Sequence, residues 1–393
     1  MTRASAIQLV LAAVLMHAAS AARADPLRLR ADALGGTQSP AGLIVLEADG
    51  KASATTNAEA IVWAANDSAD VLVIALRART ADGRIGGKVG RFVASLGALR
   101  PVQIDGASGR MRLPHSFDVE AIGGVPVPPA PSFGHSISER AWDWVAGGRI
   151  ARRFGDYGSV GIAMLEQRDD ARLATREVGV DAGIALTKRH DVATRVAYDL
   201  ANPGLADAYA SLIRRGGGVR AEVYAGYRAA SHLLPATSLF TVLGDTPSSR
   251  GGMQISGKLA PRLELGSDMG LRGAADELGV LLVLRARLAL DDKFASAITG
   301  ELRRDGVGED AWTGARGAAR IALSHSLTAS TELELVVPDR DRMRGAVWPW
   351  ALAALAYQRG PWQAAAAIEA SASAQYAHRV DVLVSMMRMW GQP

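Results

Sequence analysis

Few side chains in this 393-residue sequence are spaced for covalent or metal chemistry. Cysteine is absent, which removes disulfides, thiolate zinc sites, covalent haem attachment and thiol nucleophiles. Beyond residue 24 the histidines are His115, His135, His190, His232, His325 and His378. No two stand at i, i+4, so no metal is expected. Ser324, His325 and Ser326 set hydroxyls beside an imidazole, as a hydrolytic site would. No Gly-x-Ser-x-Gly elbow accompanies them, and the segment reads as a tight turn. His190 followed by Asp191 reads as a turn opening. Gly252 to Lys258 copies a phosphate-binding loop up to its lysine, but Leu259 replaces the Ser or Thr that would hold Mg²⁺. Met253, Ile255, Gly257 and Leu259 also share one parity of an alternating run, which is no phosphate cradle. No enzyme, cofactor-binding or metal-binding residue is expected.

What remains is a set of charged residues with a common period. Arg220, Glu222, Arg228, Arg285, Arg287, Arg316, Arg320, Glu332 and Glu334 all fall on the polar parity of alternating segments. In 219–228, Val219, Ala221, Val223, Ala225 and Tyr227 alternate with Arg220, Glu222, Tyr224, Gly226 and Arg228. Two chemistries are open to the set. It can pair across strands and stiffen a wall, or it can line an aqueous passage and attract anions, as charged rings do in channels.

The element that positions these residues is a strand. Apolar residues recur every second position in 219–228, 280–290, 315–323 and 327–337, whereas a helix would need i, i+3, i+4 and i+7. We find 22 such segments, from 27–35 to 377–390, mostly 9 to 14 residues long. Soluble strands run nearer 5–6 residues, and a tilted membrane-spanning strand needs roughly 9–11. The widest gaps, 127–140, 231–248 and 339–345, follow odd-numbered segments, while most gaps after even ones are tight. The Ala-rich runs 351–356 and 364–367 have high helix propensity and compete with this reading.

Residues 1–24 (MTRASAIQLVLAAVLMHAASAARA) read as an export signal: a short positive start at Arg3, an apolar core from Ala6 to Leu15, and Ala22-Arg23-Ala24 as a cleavage pattern. Its loss would remove Arg3 and Arg23 and take the formal charge from +4 to +2. That near balance, with no run of five like charges, gives no footing for nucleic acid. No later segment offers about 20 continuous apolar residues, so a helical span is not expected.

Export signal, long alternating strands, asymmetric connections and a last strand ending in an aromatic resemble a bacterial outer-membrane β-barrel of the porin-like class. In a bilayer every backbone polar group must be satisfied internally, so spanning strands must close on themselves. The expected fold is all-β, one antiparallel transmembrane barrel of about 22 strands (range 18–22) over 25–393. Short turns would face the periplasm, with long outer loops near 127–140 and 231–248. The Pro-rich stretch GVPVPPAPSFGHSISER could fold inward as a constriction, and the apolar residues Leu233, Leu234, Leu239, Phe240, Val242 and Leu243 could plug the lumen or meet a partner. Residues 379–390 resemble the C-terminal signal read by the barrel-assembly machinery, although Gly391, Gln392 and Pro393 follow Trp390 and Arg388 breaks the apolar parity. Trp142, Trp144, Trp312, Trp348, Trp350, Trp362 and Trp390 lie near strand ends, where membrane-interface aromatics belong. The resemblance implies a passive pore for polar solutes in the outer membrane. The alternatives are a partner-binding barrel with an occluded lumen that sheathes a transport assembly, an outer-membrane hydrolase, or a soluble periplasmic β protein.

Overall fold

The structure, a computed structural model, describes residues 27–393 apart from 37–40, 52, 66–67, 128–142, 230–247, 275–276, 293–294, 341–346, 374–377 and 391–393. The export signal and both of the long loops singled out above therefore lie largely or wholly outside the described residues.

The alternating segments all form strands. The first eight are β1 (Leu27–Gly36), β2 (Ala41–Lys51), β3 (Thr56–Ala65), β4 (Ser68–Arg79), β5 (Ile85–Ala94), β6 (Val102–Leu113), β7 (Phe117–Pro126) and β8 (Trp144–Arg153). The next seven are β9 (Gly158–Asp169), β10 (Arg172–Thr187), β11 (His190–Asp199), β12 (Gly204–Gly216), β13 (Val219–Arg228), β14 (Ser248–Ala260) and β15 (Leu263–Ala274). The last seven are β16 (Glu277–Ala289), β17 (Ala297–Asp305), β18 (Trp312–Ala322), β19 (Leu327–Pro338), β20 (Trp348–Arg359), β21 (Trp362–Ser371) and β22 (Arg379–Trp390). Each pairs antiparallel with its chain neighbours, and β1 pairs with β2 on one side and β22 on the other. The sheet thus closes into a 22-stranded barrel.

Local propensity yields to this pairing in the Ala-rich runs. β20 and β21 pair without a break from Trp350↔Ser371 to Arg359↔Trp362, because an isolated helix there would leave β19 and β22 without partners. The phosphate-loop look-alike lies inside β14, and Ser324 to Ser326 form the turn between β18 and β19.

One face of the sheet carries exposed large apolar residues, such as Ile162, Val223, Val280, Leu284, Leu302, Leu333 and Leu355. The opposite parity carries Glu177, Asp207, Glu222 and Glu301, all buried among other side chains. Apolar outside and polar inside is the distribution a bilayer selects.

The wall departs from regular pairing at β4 and β5. β3 follows β4 along nearly its whole length, but β5 pairs with β4 only from Ile74↔Arg91 to Arg79↔Gly86. Past that point β5 parts from β4 and the tip of the β5–β6 hairpin leans into the barrel, while β6 keeps its pairing with β7 as far as Ile104↔Pro126. The bend lies where Gly90 and Gly106 are register partners. Gly90 has φ +124, and a Cβ there would overlap the Ile74 carbonyl oxygen; one on Gly106 would overlap that of Gly123.

Candidate functional site

The leaning hairpin narrows the lumen, and its own residues dictate that position. From Phe92 to Ile104 apolar side chains no longer keep to one parity. Phe92, Ala94, Leu96, Leu99, Val102 and Ile104 are buried in a nucleus with Ile122, Val145, Ala163, Leu165, Ala197 and Ala206 from the facing wall. Each fully buried Leu or Phe contributes roughly 1.5–3 kcal/mol, which holds the hairpin inward. The wall makes room with glycine: Leu96 lies over Gly147 and Leu99 over Gly179, where any Cβ would collide with them. The tip closes with the Leu99 N–H donating to the Leu96 carbonyl (3.1 Å).

Polar contacts fix the same arrangement. Arg100 donates to Gln167 Oε1 and Thr175 Oγ1, both at 2.8 Å, and its Nε lies 3.5 Å from Oε1 of Glu177, a fully buried carboxylate. Beneath the tip, Arg149 holds Asp181 with two hydrogen bonds of 3.0 and 2.6 Å. A guanidinium here offsets the cost of burying Glu177.

Where the hairpin leaves the wall, the edge of β4 would expose bare carbonyls. Arg91 Nη1 donates to the Val71 carbonyl (3.2 Å) and Gln103 Nε2 to that of Leu72 (2.8 Å). Arg91 also makes a two-pronged pair with Asp105 (2.6 and 2.7 Å). Arg91, Gln103 and Asp105 occupy the parity that faces lipid in a straight hairpin, where a charged pair is costly. Their types suit a hairpin that is always bent.

Away from the hairpin the polar face carries a series of ion pairs. Arg285 Nε donates to Glu301 Oε2 at 2.6 Å, and Arg303 joins the same carboxylate. Arg316 meets Glu332 at 2.6 Å and stands in register with Glu334. Arg220 meets Glu222 at 2.6 Å, and Glu222 also accepts from the Tyr209 hydroxyl (2.8 Å). Arg228 and Arg195 share Asp207, at 3.5 and 2.7 Å. Arg287 is in register with Glu264 and Thr299, and Arg320 with Ala297 and Ser330. The partners absent from the sequence-derived set, Arg195, Asp207, Glu301 and Arg303, show the same parity and could have been found by it. Asp118, reached by Arg110, Arg112 and Arg153, could not be distinguished from the many other charged residues.

The tryptophans divide between the faces. Trp362 and Trp390 lie on the apolar face with the Arg388 guanidinium between them, 4.8 Å from each ring, so the break in apolar parity at Arg388 is covered by two indoles. Trp144 is on the apolar face beneath Arg168 (5.7 Å). Trp350 instead turns to the polar face and donates Nε1–H to Glu369 (2.7 Å); Trp348 shares its parity, and Trp312 shares that of Arg316. Trp142 lies outside the described residues. Among the described residues no three His, Asp or Glu side chains gather as a metal site.

No family model matches the sequence, and no curated relative does. Solved structures share the fold. The translocation pore of the P pilus usher PapC is similar over 94% of this chain and 99% of that one, at 8% identity and TM-score 0.53. The siderophore receptor PirA from Pseudomonas aeruginosa is similar over 93% and 80%, at 10% identity and TM-score 0.53. The architecture is that of large outer-membrane β-barrels.

Proposed function

We propose that this protein is an outer-membrane channel for polar solutes, narrowed by its own β5–β6 hairpin. A single observation carries the reading. The hairpin packs on the wall from β7 to β12, whereas the polar face from β13 to β19 presents arginines that stay open, Arg285 at 56% and Arg316 at 40% side-chain exposure. A barrel of about 20 strands is wide enough to hold an aqueous passage beside such a filler. Transport is then passive, with the hairpin setting size and the charged wall setting charge preference. Long connections would face outward and short turns the periplasm, with β22 delivered to the barrel-assembly machinery. The likeness to a pilus translocation pore and a siderophore receptor supports a transport role without selecting a solute.

The apolar nucleus inside the lumen favours a second reading, a closed barrel that sheathes a transport assembly. Planar-bilayer recording with the purified barrel decides between them. Discrete conductance steps are expected for the channel; a protein that inserts and never conducts would establish the sheath instead.

A further inference from the structure

The polar face shows its two signs of charge unequally. Asp118, Asp207 and Glu301 have side-chain exposures of only 5, 5 and 3%. The arginines that reach them are far more open: Arg153 44%, Arg228 39% and Arg285 56%. Geometry explains the order. A carboxylate on one or two methylenes stays at the level of the sheet, while an arginine arm rises past it and bends back, leaving its guanidinium outermost. The nodes are also uneven in number. Asp118 serves three arginines, and Asp207 and Glu301 serve two each. The pair at the bend, Arg91 with Asp105, has the reverse order, at 23 and 41% exposure, and it lies off the polar face. Next to the inward part of the hairpin the order is also reversed, in Arg149 with Asp181 (14 and 20%) and Lys88 with Glu59 (16 and 25%), so the layering belongs to the lumen wall clear of the hairpin tip.

We propose that the passage selects anions, and that its solutes carry oxyanion groups, carboxylate or phosphate, which guanidinium forks grip with two hydrogen bonds. This rests on the channel reading above. The chain's formal charge of +4 is nearly balanced, so the preference comes from which sign is displayed rather than from net charge.

The test is the reversal potential of the purified barrel in a planar bilayer under a potassium chloride gradient. Chloride should be favoured over potassium by about threefold or more, the sign set by a displayed ring of charge. Millimolar potassium succinate and potassium phosphate, added separately, should each reduce chloride current; block by one alone would assign the solute to that oxyanion. The triple substitution Arg153→Gln, Arg228→Gln and Arg285→Gln should bring the permeability ratio towards one, while Arg262→Gln in the β14–β15 turn should leave it unchanged. A conducting wild-type barrel that prefers potassium or neither ion overturns the inference and leaves the channel standing. An unchanged ratio in the triple variant overturns its assignment to these nodes, and a barrel that never conducts overturns both readings. The wild-type measurement is decisive whether or not the triple variant folds.

Discussion

Strands β7–β12 and β13–β19 enclose one lumen and meet it with different chemistry. In the first group the polar parity carries Ile122, Val145, Ala163, Leu165 and Ala197, all buried beneath the hairpin. In the second it carries Arg220, Glu222, Arg285, Glu301, Arg316 and Glu332, paired along β13 in the first case and across strands in the others, and open on the arginine side. A strand of either group has the same outward apolar residues, because the bilayer makes the same demand all round. The inner face is free to differ: β7–β12 give the filler its apolar seat beside the charged nodes at Asp118 and Asp207, and β13–β19 carry charge without that seat.

The strongest way to break this contrast is to remove the filler. Replacing residues 95–101 by a two-residue Asn-Gly turn should enlarge single-channel conductance several-fold, since the lost segment holds Leu96, Leu99 and Arg100. Unchanged conductance would mean that the hairpin does not limit the passage.

Next in size is a matched pair of truncations. Leu96→Ala removes a side chain packed inside protein, so the lost transfer energy is joined by a cavity term, about 4 kcal/mol together. Leu355→Ala removes one from the outward face, where lipid or detergent refills the space and only the transfer term of about 2 kcal/mol remains. Urea unfolding in detergent micelles reads both, and equal losses would deny that the nucleus is close-packed.

Arg100→Ala should cost about 3 kcal/mol, because it takes the guanidinium from a carboxylate that has no access to water. Arg285→Ala should cost under about 1 kcal/mol, because Arg303 still holds Glu301 and the lost side chain was half open to solvent. The difference between the two, read from the midpoint of heat-modifiable gel mobility, sharpens the contrast between a structural arginine and a displayed one.

Strand number and the two-faced wall were legible in the sequence because a bilayer enforces strict alternation over whole strands. The inward hairpin was not read there. Its signal is the loss of alternation from Phe92 to Leu99, which has the form of an ordinary strand end and short loop and is outweighed by the longer connections 127–140 and 231–248. Parity placed the charged residues on a common face, but cross-strand register decides which carboxylate serves which arginine, and register is invisible without the fold. The tryptophans show the same limit: Trp348 and Trp350 stand at a strand end, yet one step of parity turns both to the polar face, where Trp350 meets Glu369.

The smallest expected effect concerns the turn under the hairpin. β4 and β5 are joined by only the six register pairs from Ile74↔Arg91 to Arg79↔Gly86, so their shared turn matters more than its counterparts elsewhere. Asp82 organises it by accepting from the Thr80 hydroxyl (2.5 Å) and the Arg84 N–H (3.0 Å), and these bonds hold its carboxyl below the usual range. A depressed folded value means the contribution is fully present above the unfolded value near about 3.9 and fades as pH falls through the lower folded one. Protection of the Arg84 and Ile85 amides, exchange taken relative to the unfolded-chain rate at the same pH, should therefore stay high at neutral pH and fall only below about pH 4. Asp82→Ala should lower this protection at neutral pH and abolish its acid dependence. The turn between β18 and β19, held by the Ser324 hydroxyl rather than a carboxylate, should show no such acid step. If both turns loosened together on acidification, the cause would be global unfolding, and the special dependence of the bent hairpin on its base would be refuted.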